Sequence, residues 1–303
     1  MKYFLHNLAI VCSILVGTSN SYGEASATNS AVSQFDGEVD IGGRKLHLAT
    51  YGQGSPTVVV ESGLGEPGVE GGSWKAVIDE VSKTARICVY DRAGLGTSDA
   101  VTNKSRTTQD VVQDLHALLT SAKIAPPYIL VGHSVGGYTV RVYADKYPSE
   151  VAGLVLVDSS YPGQGAKWLA ALPPESAQES ESIKNARTHL TPQTSDPNTN
   201  PEHLDLAACG VQAAAVTSLG NKPLVVLSHA KEWRMDTGLP KETSDKMEQL
   251  WETWQEDLCH LSTQSSHQTA VKAGHYIQPE EPQLVVNAIH KIADLTRSGK
   301  HGG

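Results

Sequence analysis

The chain has 303 residues, with 24 basic and 33 acidic side chains, so its formal charge is −9. That balance argues against a nucleic-acid binder, which shows a basic face. An apolar fraction of 39% against 19% charged excludes a disordered chain, and the length is ample for one large core.

Residues 1–23 (MKYFLHNLAIVCSILVGTSNSYG) read as a secretory signal peptide. Lys2 precedes an apolar stretch over 3–16, and the small residues Ser21 and Gly23 mark a cut after Gly23. His6 and Asn7 interrupt the stretch, which falls short of the roughly 20 apolar residues of a spanning helix. No stable membrane span is expected once the leader is removed, and the product is exported, periplasmic or secreted. Residues 24–34 form a flexible lead-in, and 298–303 a disordered tail.

Between them, residues 35–297 read as a single domain. Residues 35–52 alternate polar and apolar side chains on either side of Gly42-Gly43, a hairpin signal. Short apolar runs follow at 57–61 (TVVVE), 86–90 (RICVY), 128–132 (YILVG), 152–157 (AGLVLV), 223–228 (PLVVLS) and 268–273 (QTAVKA). Runs of this length suit strands buried on both faces of a parallel sheet. Helical spacing appears at 111–123 (Val111, Val112, Leu115, Leu118, Leu119) and at 283–297 (Leu284, Ala288, Ile292, Leu295). The alternation predicts an α/β fold, a mostly parallel sheet with helices on both faces. Residues 161–205 break the rhythm with Pro173-Pro174 and polar runs, and are expected to form a lid insertion in which Trp168, Leu169 and Leu172 dock. Beyond the leader lie three cysteines. Cys88 sits in an apolar run, which leaves Cys209–Cys259 as the candidate disulfide.

Gly132-His133-Ser134-Val135-Gly136 carries the strongest chemical signal, a G-x-S-x-G between a strand run and a helical pattern. A sharp strand-to-helix turn strains the middle residue, and glycines two positions away avoid a collision with it. The Ser134 hydroxyl is then left exposed at the sheet edge, beside the free N–H groups that open a helix. A serine nucleophile needs a general base, and His275 follows the last strand run. Glu61 reads as a solvated strand-end charge or a carboxylate favouring cationic substrates, and His133 as a residue packing locally. His229, His260 and His267 show no placement comparable to that of His275. No metal-ligating or phosphate-loop motif occurs, so neither metal nor cofactor is expected.

With this elbow and with YDRAGLGTSD (90–99), the chain resembles the α/β-hydrolase superfamily, in its serine esterase and lipase-like branch, over residues 35–297. The resemblance implies an α/β-hydrolase fold and a triad in the order Ser134, acid, His275. Asp158, after the run 152–157, leads for the acid; Glu232 and then Asp236, beyond 223–228, are the alternatives. It also implies oxyanion donors at the backbone N–H of Val135 and of Leu64, in the loop ESGLGEPG, although relatives usually carry His-Gly where this chain has Ser62-Gly63. The expected activity is cleavage of a small-molecule carboxylic ester through an acyl-enzyme. Lactonase, amidase, peptidase or thioesterase chemistry on the same triad is the alternative, as is a ligand-binding protein without turnover.

Overall fold

The computed structural model describes residues 30–102, 105–190, 196–230 and 238–299. The leader and its cut, most of the lead-in, and the end of the tail lie outside these residues, as do Glu232 and Asp236. Among the described residues no helix is long and apolar enough to cross a membrane.

The chain opens with a hairpin of β1 (Ser33–Asp40) and β2 (Lys45–Tyr51), antiparallel to each other. Its turn uses Gly42 and Gly43 at φ 86° and 121°, a region closed to most side chains. Next come β3 (Thr57–Glu61), α1 (Lys75–Val81), β4 (Ile87–Tyr90), α2 (Thr108–Ser121), β5 (Tyr128–His133), α3 (Gly136–Lys146) and β6 (Val151–Val157). Helices α4 (Gln164–Ala171), α5 (Glu181–Leu190) and α6 (Leu206–Ala214) precede β7 (Leu224–Ser228). The chain continues through α7 (Lys241–Leu258), β8 (Ser265–Thr269), α8 (Ile277–Glu280) and α9 (Pro282–Gly299). The sheet order is β1-β2-β4-β3-β5-β6-β7-β8, parallel from β4 onward.

Every residue of β3, β4, β5 and β7 is buried, as expected of strands covered on both faces. Alternate side chains feed two cores. Leu130 and Val59 join α2, α3 and α6 on one face, while Ile129, Val131 and Val58 join α1 and α9 on the other. Helix α2 begins three residues before the apolar pattern suggested, because Thr107 N–H donates to the Asp110 carboxylate and closes the first turn.

Two sequence expectations need correction. The last strand is β8 at Ser265–Thr269, not 268–273. It is an edge strand that pairs only with β7, so its SSHQT sequence needs no apolar run. Ala270 and Ala273 instead bury in the following turn while Val271 is exposed. The disulfide is absent as well: Cys88, Cys209 and Cys259 are all free. The Cys209 thiol is buried on α6, and the Cys259 thiol donates to the Gln255 carbonyl oxygen.

A third, smaller core lies above the sheet's C-terminal edge. Trp168, Ala171 and Leu172 from α4 meet Met247, Trp251 and Trp254 from α7. Helix α4, from the residues expected to form the lid, thus packs on α7. The spacing of Met247, Trp251, Trp254 and Leu258 is helical, so this element was readable in the sequence.

Candidate active site

Parallel strands deliver their following loops to one edge, and the chemistry gathers there. Ser134 follows β5 with φ 52°, a left-handed conformation costly for a non-glycine residue. A Cβ on Gly132 would lie 2.7 Å from the carbonyl oxygen of Gly136, and one on Gly136 would run into that of Glu61. Both glycines of the motif are therefore sterically required. Ser134 N–H donates to the Val157 carbonyl at 3.1 Å, and Ser160 N–H donates to the Ser134 carbonyl at 2.9 Å. Those two bonds bracket Asp158 in sequence and stitch the elbow to the end of β6.

Asp158 is excluded from water and also takes a positive φ, 43°. Its Oδ2 lies 2.6 Å from Nδ1 of His275. The His275 loop is fixed from the elbow side: His133 Nε2 donates to the His275 carbonyl at 2.9 Å, and the two rings stand 4.7 Å apart. Glu66 holds His133 in turn at 3.2 Å and also accepts from Ser73 Oγ and Gly63 N–H. Burial opposes ionisation of Glu66, but these donors, His133 foremost, outweigh it and bring its pKa down to about 2. The structure thus pairs His275 with Asp158 and ties the Ser134 elbow by backbone bonds to the turn that carries Asp158. With Nδ1 facing the carboxylate, proton exchange by the His275 ring falls to Nε2.

The loop after β3 is held by its own contacts. Gly63 N–H is taken by Glu66 and Gly65 N–H by Glu202 Oε1 at 2.8 Å. The carbonyls of Ser62 and Gly63 both accept from Arg92 at 2.6 Å. Among the described residues, no hydrogen bond uses the N–H of Leu64 or of Val135. Ser62 Oγ accepts from Trp74 Nε1 at 3.1 Å.

Glu61 requires a correction. It is neither solvated nor open to a substrate, but fully buried, accepting from Tyr90 OH at 2.6 Å and from Arg92 at 2.9 Å. Arg92 also grips Glu202, from the segment that leads into α6, through two nitrogens.

Sequence reasoning missed His229. It follows β7 and meets the same Asp158 carboxylate as His275, with its backbone N–H donating to Oδ1 at 3.0 Å and Nδ1 at 2.9 Å from Oδ2. Its Nε2 meets Glu248 Oε1 of α7 at 2.7 Å. Trp251 of α7 donates Nε1 to Asp158 Oδ1 at 2.9 Å. Burial would raise the Asp158 pKa, yet His229 and His275 hold it well below the carboxylate range. Burial likewise lowers that of His229, but Asp158 and Glu248 bring it up to about 9. The available signal was placement: His229 follows a strand run as directly as Asp158 does.

The sequence pattern described as alpha/beta hydrolase fold matches residues 56–203. An uncharacterized protein of Bacillus subtilis, YqjL, is 28% identical over 247 residues, spanning 80% of this chain and 85% of that protein. The structure of an esterase from Thermogutta terrifontis superposes with a TM-score of 0.57 at 22% identity, covering 86% of this chain and 99% of the other. That of a putative lipase from Acinetobacter baumannii gives 0.60 at 17% identity, covering 89% and 93%. These last two likenesses concern the fold, and they agree with the sheet order and the antiparallel hairpin at its start. The chain carries the α/β-hydrolase sequence pattern over residues 56–203 and has the α/β-hydrolase fold.

Proposed function

We propose that this protein is an exported serine hydrolase that cleaves a small carboxylic ester through Ser134, His275 and Asp158. The observation that carries the reading is the 2.6 Å contact between Asp158 Oδ2 and His275 Nδ1, within a cluster tied to a G-x-S-x-G elbow. In this mechanism His275 Nε2 takes the Ser134 proton as Oγ attacks the ester carbonyl. The oxyanion of the tetrahedral intermediate accepts from the N–H groups of Leu64 and Val135. Collapse expels the alcohol, which leaves with the proton from His275, and an acyl-enzyme remains. Water repeats the sequence, losing its proton to His275, and releases the acid with Ser134 restored. Asp158 stays ionised and stabilises the imidazolium formed at each step. The esterase whose fold this chain shares supports an ester substrate. The leader at 1–23 supports export, and mass spectrometry of the mature protein should begin it at Glu24.

The test is labelling with a fluorophosphonate, alongside turnover of p-nitrophenyl esters from acetyl to long acyl. We expect a covalent adduct on Ser134 and its loss in Ser134→Ala, with turnover falling by about 10⁴-fold or more. A folded wild-type protein that takes no adduct and turns over no ester would leave the non-catalytic binder as the correct reading.

A further inference from the structure

Asp158 has more partners than orientation of one imidazole requires. His275 approaches from the loop before α8, His229 from the end of β7, and Trp251 from α7. His229 is itself buried between two carboxylates, with Nδ1 toward both Asp158 oxygens and Nε2 toward Glu248. A carboxylate only accepts, so a ring nitrogen facing one must carry a hydrogen. With a carboxylate at each end, the His229 ring is an imidazolium. Its raised pKa, due to Asp158 and Glu248 against burial, agrees with that geometry.

Helix α7 reaches this group along one face. Glu248 holds His229, Trp251 donates to Asp158 while stacking on the His229 ring at 5.9 Å, and Gln255 donates to the Ser159 carbonyl at 2.8 Å. Residues 248, 251 and 255 lie three and four apart, the spacing of helix neighbours. Helix α7 is therefore docked on the acid turn itself.

Resting on the triad proposed above, we propose that His229 is a positioning residue that fixes the Asp158 carboxylate against His275 and couples it to helix α7 through Glu248. Its charge also tempers the proton affinity of His275. The imidazolium at 229 offsets part of the Asp158 field, and Glu248 offsets part of the imidazolium. Asp158 and Glu248 face His229, Asp158 faces His275, and His133, held by Glu66, stands 4.7 Å from the His275 ring.

Asparagine at 229 can place its amide N–H near Nδ1, keeping a donor to Asp158 while losing the charge and the Glu248 contact. Alanine loses all three. We expect His229→Ala to lower kcat by about tenfold or more with KM nearly unchanged, and His229→Asn to recover most of that loss. In His229→Asn the acidic limb of the kcat/KM profile, which reports His275, should move to higher pH because a neighbouring positive charge is gone. A folded pair of variants with wild-type kcat and an unmoved limb would overturn the proposal. So would an Asn variant that falls as far as Ala with no shift of the limb. Nitrogen-15 NMR of the wild-type imidazoles provides a readout independent of turnover and of variant folding. Both His229 nitrogens should carry protons at neutral pH and titrate near 9, and a neutral His229 would refute the assignment. If wild type hydrolyses no ester, the proposed function fails, while the NMR result still decides the state of His229.

Discussion

Glu61 and Asp158 sit at the ends of β3 and β6, the two strands that flank β5, and both are fully excluded from water. The sheet has had to accommodate a buried carboxylate twice, and it does so differently on the two sides of the nucleophile. Glu61 faces Arg92, a cation that does not lose its proton, and the Tyr90 hydroxyl. Burial raises the Glu61 pKa, and Arg92 and Tyr90 only partly offset it. Asp158 faces two imidazoles and an indole N–H, which together override burial and keep it ionised. One side is permanently charged and pins a loop. The other is built from groups that can exchange protons, as acid–base chemistry requires.

The largest effect should come from converting the second side into something like the first. Asp158→Asn keeps the shape but presents an amide that can leave His275 in the wrong tautomer, so kcat should fall by about 10⁴-fold with far-ultraviolet circular dichroism unchanged. Retention of activity within tenfold would mean that another carboxylate orients the base. On the Glu61 side, Arg92→Met strips the cation from Glu61 and Glu202 and frees two loop carbonyls. Urea unfolding should show a loss of about 3–5 kcal/mol, the cost of leaving buried charge unpaired. A loss below about 1 kcal/mol would show that the cluster does not brace the loop.

The two sides differed just as much in what the sequence disclosed. Strands β3, β4, β5, β6 and β7 were readable because double burial leaves near-continuous apolar runs, and Ser134 because the elbow demands Gly132 and Gly136. Strand β8 was misplaced by an apolar cue, since an edge strand need not be apolar. The Arg92 cluster joins residues 61, 92 and 202, and His229 meets Glu248 across a stretch without periodic signal. Such contacts depend on tertiary approach, which local pattern does not encode. Glu61 was misread for that reason, as a strand-end charge rather than a buried partner.

Stability against pH separates the two clusters by a smaller margin. The His229 pKa is raised from 6.5 to about 9 in the folded protein, so its contribution is complete below 6.5 and is lost as pH rises through about 9. Arg92 stays charged throughout that range. The wild-type protein should therefore lose on the order of 2 kcal/mol between those limits relative to His229→Asn, read from urea midpoints at each pH. Parallel slopes for the two proteins would place the titrating group elsewhere.

The finest distinction concerns one hydrogen bond. Trp251→Phe keeps most of the aromatic packing against Trp168 and Trp254 but removes the N–H that Asp158 Oδ1 accepts. A hydrogen bond to a charged acceptor is worth about 1.5–3 kcal/mol, and the two donors from His229 remain to share the load. The expected result is a kcat decrease of about tenfold or less, with unfolding stability lowered by about 1 kcal/mol. Because the indole acts on the carboxylate and not on the ester, the decrease should be the same for acetyl and long-acyl substrates. A chain-length-dependent effect would instead make Trp251 part of the acyl pocket.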